Sequence, residues 1–356
     1  MKKKPICLVT GSSGLIGSET VNFFSKKNFD IIGIDNNFRQ FFFGKSASTH
    51  QIKKKLKKIN NYNHFNIDIR NFKKLLQVFK KYKKRIKLIV HCAAQPSHDW
   101  AYQNPMLDFD INAKSTFNLL ELTKTFCPKS VFIFLSTNKV YGDNPNKFSF
   151  LEKKNRYELK KSNKYFNGID ENFKLDGCIH SFFGSSKLSA DILVQEYGNN
   201  FGMKTVCFRG GCLTGSSHRG AELHGFLSYL VKTALTKKVY KVFGFKGKQV
   251  RDNLHSSDLV NAFWEFYKNP KNGKVYNIGG SRKSNCSILE ATNLIESIAN
   301  VKVNLKFIDK SRVGDHIWWI TNTSKFKKDY PNWKQNYDIK KIIKELIDNN
   351  DGKINF

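Results

Sequence analysis

A chain of 356 residues is long enough to bury one large core or two modest ones, which excludes a peptide-sized binding module. Its formal net charge of +32 would attract a polyanion, yet only nine of its 61 basic residues are arginine and the lysines are spread throughout. No zinc-finger spacing, basic zipper or RNA-binding aromatic motif accompanies them. We therefore predict solvated helix faces and no nucleic-acid partner.

The seven cysteines are odd in number and contain no Cys-x-x-Cys pair, so we expect neither a disulfide framework nor a metal site. Several lie in apolar runs, which favours a reducing compartment. The apolar run behind the N-terminal lysines covers only residues 6–9, too short for a signal sequence, and no stretch reaches the length of a membrane span. We expect a cytoplasmic protein without a membrane partner.

The first predicted element is a strand at residues 6–9, followed by a glycine-rich turn and a helix. A second apolar run, residues 31–34, ends at an acid. Three glycines allow a tight turn, a close approach of backbone to a pyrophosphate, and close packing of helix on strand, while the acid accepts a hydrogen bond from a ribose 2′-hydroxyl. No arginine stands beside the acid, which favours NAD over NADP. The predicted cofactor contacts here are Gly11, Gly14, Leu15, Ile16, Gly17, Asp35 and Asn36.

Strand and helix patterns then alternate along the chain. A third strand is predicted to end with residues 66–69, and further strands are predicted at 87–90, 130–135 and 205–208. Helices are predicted at 72–82, 108–125 and 185–200. This alternation predicts an α/β fold, a Rossmann-like doubly wound parallel sheet.

Beyond Arg209 the alternation of strand and helix patterns becomes irregular. The sequence there predicts glycine-rich loops, a helix near 222–235 and a short βαβ-like tail at 275–309. We expect a smaller α/β substrate domain interwoven with the first. The predicted division is 1–208 with about 240–274 for the NAD-binding domain, and about 209–239 with 275–356 for the substrate domain.

Several further motifs stand in a recognisable order: Asp68-Ile69, Ala93-Ala94, Asn112, residues 136–142, Arg251-Asp252 and residues 277–280. With the glycine turn, they resemble the extended short-chain dehydrogenase/reductase family of NAD-dependent epimerases and dehydratases over nearly the whole chain. The resemblance adds Asp68, Ile69, Ala93, Ala94, Asn112 and Lys187 to the expected cofactor contacts. Residues 136–143 and 247–252 are most similar to the branch of CDP-sugar 2-epimerases. A sugar 4,6-dehydratase is expected to carry Asp-Glu where this chain has Asn138-Lys139.

The resemblance implies epimerisation of a nucleotide-diphosphate sugar through a transient ketone, at sugar C2 in the most similar branch. Thr137 would then bond the reacting hydroxyl, and Lys187 would hold the nicotinamide ribose and lower the pKa of a neighbouring base. Asn138, Arg251 and Arg312 would contact the substrate, with the arginines on its diphosphate. Residues 209–215 and 222–226 would line the sugar and base pocket. We also expect a homo-oligomer.

One position departs from the family pattern. The family's Tyr-x-x-x-Lys reads Phe183-Gly-Ser-Ser-Lys187, and phenylalanine has no proton to exchange. The substitute bases nearest in sequence are His98 with Asp99, in the loop after the fourth strand, and His180, three residues before Phe183. Loops at the carboxyl ends of parallel strands hold ligands in such folds, which favours His98 and Asp99 as the catalytic pair.

Three functions remain open on this basis. The first is a nucleotide-sugar epimerase with a substitute for the missing phenol. The second is another NAD-dependent nucleotide-sugar dehydrogenase, reductase or decarboxylase. The third is a cofactor-binding protein with little turnover.

Overall fold

The computed structural model describes residues 3–351 except 219, 221, 223, 224 and 313. The strands are β1 Ile6–Thr10, β2 Asp30–Ile34, β3 Tyr62–Phe65, β4 Ile86–His91, β5 Val131–Thr137, β6 Phe150–Glu152, β7 Tyr157–Leu159, β8 Lys204–Gly210, β9 Cys212–Thr214, β10 Val239–Phe243, β11 Val250–His255, β12 Lys274–Ile278, β13 Asn285–Ser287, β14 Asn304–Ile308 and β15 Trp318–Trp319. The helices are α1 Leu15–Phe24, α2 Arg39–Phe43, α3 His50–Leu56, α4 Phe72–Tyr82, α5 His98–Gln103, α6 Pro105–Phe109, α7 Ser115–Phe126, α8 Ser181–Phe201, α9 Phe226–Leu235, α10 Ser256–Lys268, α11 Ile288–Ala299, α12 Ser324–Asp329 and α13 Ile339–Asp351.

A seven-stranded parallel sheet, in the order β12-β8-β5-β4-β1-β2-β3, forms the centre of the first compact unit. All five residues of β1 are buried, as expected for a parallel strand covered by helices on both faces. This architecture confirms the predicted Rossmann-like doubly wound fold.

The strand order fixes where a ligand can enter this sheet. β1 pairs with β2 on one side and with β4 on the other, so the chain leaves the carboxyl end of β1 at the switch in winding direction. Ligands of open α/β sheets bind in the crevice at such a point. The glycine turn follows β1 and the Ala93-Ala94 loop follows β4, so both lie at this crevice.

The second compact unit has small sheets of its own. β11 pairs with β13, β15 and β9, β10 pairs with β14, and β6 pairs with β7 as a hairpin. Its apolar core is formed largely by helices α9, α11 and α13, through side chains such as Leu230, Ile295 and Ile343.

The division of the chain differs from the predicted one. The first unit contains residues 1–140, 182–209 and 260–276, and the second contains 141–181, 210–259 and 277–356. Residues 141–181 and 240–259 were expected in the first domain. They lie in the second because the β6–β7 segment bonds within it: Tyr157 N donates to Lys248 O at 2.9 Å, and Arg156 forms an ion pair with Glu290.

Several element bounds also differ. β3 ends at Phe65, so Asp68 and Ile69 lie in the loop that follows it. The helix expected over 108–125 is divided into α6, a π-helical turn at Asp110–Lys114, and α7. Strand β12, expected in the tail of the smaller domain, joins the central sheet beside β8.

Within the described part of the chain, no helix is both long and apolar enough to cross a bilayer.

Candidate functional site

The glycine turn after β1 is closed tightly by its own backbone. Gly11 has a φ of +65°, and a Cβ there would lie 2.8 Å from Ala93 N. A Cβ on Gly17 would lie 2.0 Å from Gly11 O, so α1 can pack this closely on the turn only because Gly17 lacks a side chain. Leu15 and Ile16 form the first turn of α1, directly after Gly14. The helix N-terminus thus faces the crevice with backbone N–H groups available for an anion.

Asp35, at the end of β2, is held in place by backbone donors. One carboxylate oxygen accepts a hydrogen bond from Ser13 N at 2.9 Å and the other from Asn37 N at 2.7 Å. Burial raises the pKa of Asp35, against the lowering effect of these N–H groups. Each oxygen retains a second acceptor position, which a ribose hydroxyl can fill. Asn36 Oδ1 accepts from Phe38 N and shapes the same loop.

The other predicted cofactor contacts lie in loops at the same edge. Ala93 N donates to Thr10 Oγ1 at 3.3 Å, which places the loop containing Ala93 and Ala94 against the end of β1. Asp68 pairs with Arg70, with 2.6 Å between Oδ2 and Nη2; burial opposes the ionised form, but Arg70 lowers the pKa of Asp68 overall. Ile69 is buried in the core.

Lys187 and Thr137 belong to α8 and β5. Lys187 is 4% exposed, its Nζ donates to Leu135 O at 2.8 Å, and it lies 4.0 Å from the centre of the Phe134 ring. Burial lowers the pKa of Lys187 to about 8, although Asp191 and other nearby acidic groups favour its charge. Thr137, the last residue of β5, accepts a hydrogen bond from Lys139 N. An amine of lowered pKa therefore contacts the strand that carries the hydroxyl.

The structure brings His98 directly against the position of the missing tyrosine. Phe183 lies one helical turn before Lys187 on α8, and the centres of the His98 and Phe183 rings are 5.0 Å apart with an interplanar angle of 71°. Both residues lie in the first unit, although they are 85 positions apart in the sequence. The one imidazole that the sequence favoured therefore occupies the neighbourhood of the absent phenol.

The two other candidate bases have different surroundings. Asp99 lies in the first turn of α5, where the helix dipole stabilises a negatively charged side chain. His180 belongs to the second unit, and its Nε2 lies 3.6 Å from Cys178 Sγ.

A buried polar network beside His98 was not foreseen from the sequence. Asp108 Oδ1 accepts from Gln95 Nε2 at 2.7 Å and from Asn112 Nδ2 at 3.0 Å, and Asp108 Oδ2 accepts from Ser186 Oγ at 2.5 Å. The Asn112 amide also bonds the backbone N and O of Gln95. Asn112, expected to touch the cofactor, thus ties the loop after β4 to α8. The available signal was the spacing of Asp108 and Asn112, four residues apart on one helix face.

The predicted substrate contacts are divided between the units. Asn138, in the first, is 6% exposed and accepts from Thr137 Oγ1 at 3.4 Å. In the second, Arg251 Nη2 lies 3.7 Å from Asp315 Oδ1, and Asp315 N donates to the backbone carbonyl of Arg312, so both arginines contact Asp315. Of the segment 222–226, residues 223 and 224 lie outside the described residues.

The chain is similar to a known protein family and to characterised enzymes. The model of the family described as GDP-mannose 4,6 dehydratase matches residues 8–346. The chain is 32% identical to CDP-paratose 2-epimerase of Salmonella typhi over 300 residues, which cover 83% of this chain and 84% of that protein. It is 25% identical to UDP-glucuronate 4-epimerase of Thermodesulfobacterium geofontis, over 96% of this chain and 94% of that one.

Solved structures share the fold. One is a tyrosine-to-phenylalanine variant of UDP-glucuronic acid 4-epimerase from Bacillus cereus, in complex with UDP-4-deoxy-4-fluoro-glucuronic acid and NAD. Its TM-score is 0.79 at 24% identity, with 98% of this chain and 99% of that chain covered. Another is dTDP-glucose 4,6-dehydratase from Bacillus anthracis in complex with NAD, with a TM-score of 0.76 at 23% identity and coverages of 98% and 97%. Because the family model matches nearly the whole of this chain, the chain belongs to the GDP-mannose 4,6 dehydratase family of extended short-chain dehydrogenases/reductases.

Proposed function

We propose that this protein is an NAD-dependent nucleotide-sugar epimerase that inverts C2 of a CDP-sugar through a transient keto-sugar. In this proposal His98 replaces the phenol that Phe183 lacks. The observation that carries it is the packing of the His98 ring on Phe183, one helical turn from Lys187. The similarity to CDP-paratose 2-epimerase of Salmonella typhi supports the choice of nucleotide and carbon.

The residues at the switch point fit NAD. Gly14 leaves room for a diphosphate to approach the backbone, Gly11 and Gly17 allow the tight turn and the close packing of α1, and Asp35 keeps one acceptor position on each oxygen for a ribose. Ser13 Oγ is buried without a hydrogen-bond partner within the described part of the chain, so a ligand oxygen can satisfy it. When bound, NAD supplies reversible hydride exchange with a sugar carbon.

The chain's own residues handle the proton. Oxidation of a carbinol to a ketone releases the hydroxyl proton, and His98 accepts it on a ring nitrogen and returns it when the alcohol forms again. Thr137 orients the hydroxyl, and Lys187 supplies positive charge beside the developing alkoxide. Arg251 and Arg312 bind the diphosphate, because guanidinium groups match phosphate oxygens in geometry and charge.

Dehydration is the competing reaction, since dehydratases are among the relatives. A 4,6-dehydration must also remove a proton from carbon and protonate a leaving hydroxyl, steps for which the family uses an Asp-Glu pair. Asn138 and Lys139 stand at those positions and offer no carboxyl group. The side-chain chemistry therefore favours epimerisation.

A panel of CDP-, UDP-, GDP- and dTDP-sugars incubated in D₂O and followed by NMR tests the proposal. We expect inversion at C2 of a CDP-sugar, with no solvent deuterium at the inverted carbon and no accumulation of reduced nicotinamide. A Thr137→Val variant, which keeps the shape but removes the hydroxyl, is the matched control and should be slower. A 4-keto-6-deoxy product, or net oxidation of the sugar, would contradict the assignment.

A further inference from the structure

Asp108 is a completely buried carboxyl group that joins three pieces of the candidate site. It is 0% exposed and accepts three side-chain hydrogen bonds, from the loop after β4 through Gln95, from the π-helical turn through Asn112, and from α8 through Ser186. The proposed mechanism gives it no part. A buried carboxyl group is unfavourable unless its partners compensate it, and such networks fix geometry.

One arm of this network reaches His98. Gln95 Nε2, which donates to Asp108, also donates to Ser97 O at 2.8 Å, and Gln95 Oε1 accepts from Ser97 N at 2.5 Å. Ser97 in turn is the N-cap of α5, where its Oγ accepts from Trp100 N at 3.3 Å. His98 is the first residue of that helix. The backbone immediately before His98 is thus held on both sides by a side chain that Asp108 anchors.

The other arm reaches α8. Ser186, which donates to Asp108, stands between Phe183 and Lys187, immediately before the lysine. Asn112 Nδ2 donates to Ser186 Oγ at 3.1 Å, so the hydroxyl is held from two directions. The carboxyl group therefore bonds one residue linked to His98 and one residue adjoining Lys187.

We infer that Asp108 is a positioning residue that sets the imidazole of His98 over Phe183 and relative to Lys187. This inference rests on the proposed function, in which His98 carries the proton. Asp108 does not itself serve as the base, because it has no exposed surface and its oxygens are occupied by three donors. Burial raises the pKa of Asp108 to about 6, whereas Ser186, Gln95 and the charge of Lys187 lower it, consistent with a carboxyl group that depends on these partners.

A kinetic cycle tests whether Asp108 acts through His98. We expect Asp108→Asn to lower kcat by roughly tenfold to a hundredfold, because the amide disrupts the acceptor pattern and misplaces the base, with less change in KM. In a His98→Ala background the same substitution should change kcat by less than about twofold, since coupled residues are non-additive. Equal losses in both backgrounds would overturn the inference. An unchanged kcat in His98→Ala would instead overturn the proposed function and the inference with it.

A second measurement does not depend on turnover. The ring of Phe183 should shift the His98 Hε1 resonance, which can be assigned in a ¹³C-histidine-labelled protein by its loss in His98→Ala. We expect Asp108→Asn to move this resonance. The matched control is Asp110→Asn, a partly exposed acid two residues on that pairs with Lys114, and it should leave the resonance in place. An unmoved resonance in Asp108→Asn would overturn the inference even if the protein is an epimerase.

If Asp108→Asn does not fold, Ser186→Ala replaces it in both experiments. This variant removes one donor to Asp108 and leaves the carboxyl group with Gln95 and Asn112. We expect it to move the same resonance and to show the same non-additivity with His98→Ala. Absence of both effects would contradict the inference.

Discussion

At the scale of single residues, Lys187 has a proposed role in the site and also an energetic cost to the folded state. It is buried, bonds Leu135 O, and has a pKa of about 8 instead of 10.5 because burial disfavours its charge. A lysine whose pKa is lowered by burial destabilises the folded state as long as it is protonated. Between pH 8 and 10.5 the unfolded chain binds more protons than the folded one, so this cost falls as the pH rises through that window.

We therefore predict that Lys187→Met is more stable than the wild type by about 2 kcal/mol at pH 7. The pKa difference corresponds to about 3 kcal/mol, less about 1 kcal/mol for the lost hydrogen bond. Unfolding by urea at several pH values measures it. The difference should be constant below about pH 7.5 and should shrink towards pH 10, while activity is lost throughout. A pH-independent difference would contradict the assigned electrostatics of Lys187.

At the scale of elements, the strand–turn–helix of the cofactor site distinguishes two glycines. A Cβ on Gly17 would meet Gly11 O at 2.0 Å, whereas the nearest neighbour of a Cβ on Gly14 is Gly11 O at 3.3 Å. Gly17→Ala therefore requires backbone movement, and Gly14→Ala requires very little.

We predict that Gly17→Ala lowers the free energy of unfolding by on the order of 3 kcal/mol, as overpacking does. Its matched partner, Gly14→Ala, should stay within about 1 kcal/mol of the wild type but bind NAD more weakly, because a methyl group blocks close approach of the diphosphate. Thermal unfolding and calorimetric titration separate these effects. Equal stability of the two variants would argue against the close contact of Gly17 with Gly11.

Much of this element structure could be predicted from the sequence. Parallel strands are buried on both faces, so β1, β2, β4, β5 and β8 appear as apolar runs, and the glycine turn with Asp35 identifies the cofactor crevice. The placement of 141–181 could not be predicted, because its bonds to residues such as Lys248 and Glu290 cross about a hundred positions. The link from Asp108 to Ser186, 78 residues apart, was hidden for the same reason.

At the scale of the whole molecule, the net charge of the chain and the local charge of Asp35 have opposite effects on the choice of cofactor. The chain carries a formal net charge of +32, which alone would favour the additional phosphate of NADP. Local geometry opposes this, because a 2′-phosphate would face a carboxylate already held by Ser13 N and Asn37 N.

We predict tighter binding of NAD than of NADP, measured by calorimetric titration of both at 0.15 M salt. Asp35→Asn should reduce this preference by removing the repelling charge, while the amide oxygen keeps part of the hydrogen bonding. Preference of the wild type for NADP would show that the global charge outweighs the local carboxylate. The expected homo-oligomer stays a prediction, open to light scattering.

The proposed function assigns to His98 the proton transfer that Phe183 cannot perform. Its most direct test is the rate of bound nicotinamide reduction in single turnovers with the CDP-sugar substrate, measured for the wild type, His98→Ala and Phe183→Tyr. We predict that His98→Ala is slower by roughly 10²-fold or more, the usual effect of losing a general base. Phe183→Tyr should be similar to the wild type or slower, because the added hydroxyl crowds the imidazole. A faster Phe183→Tyr together with an unchanged His98→Ala would contradict the account.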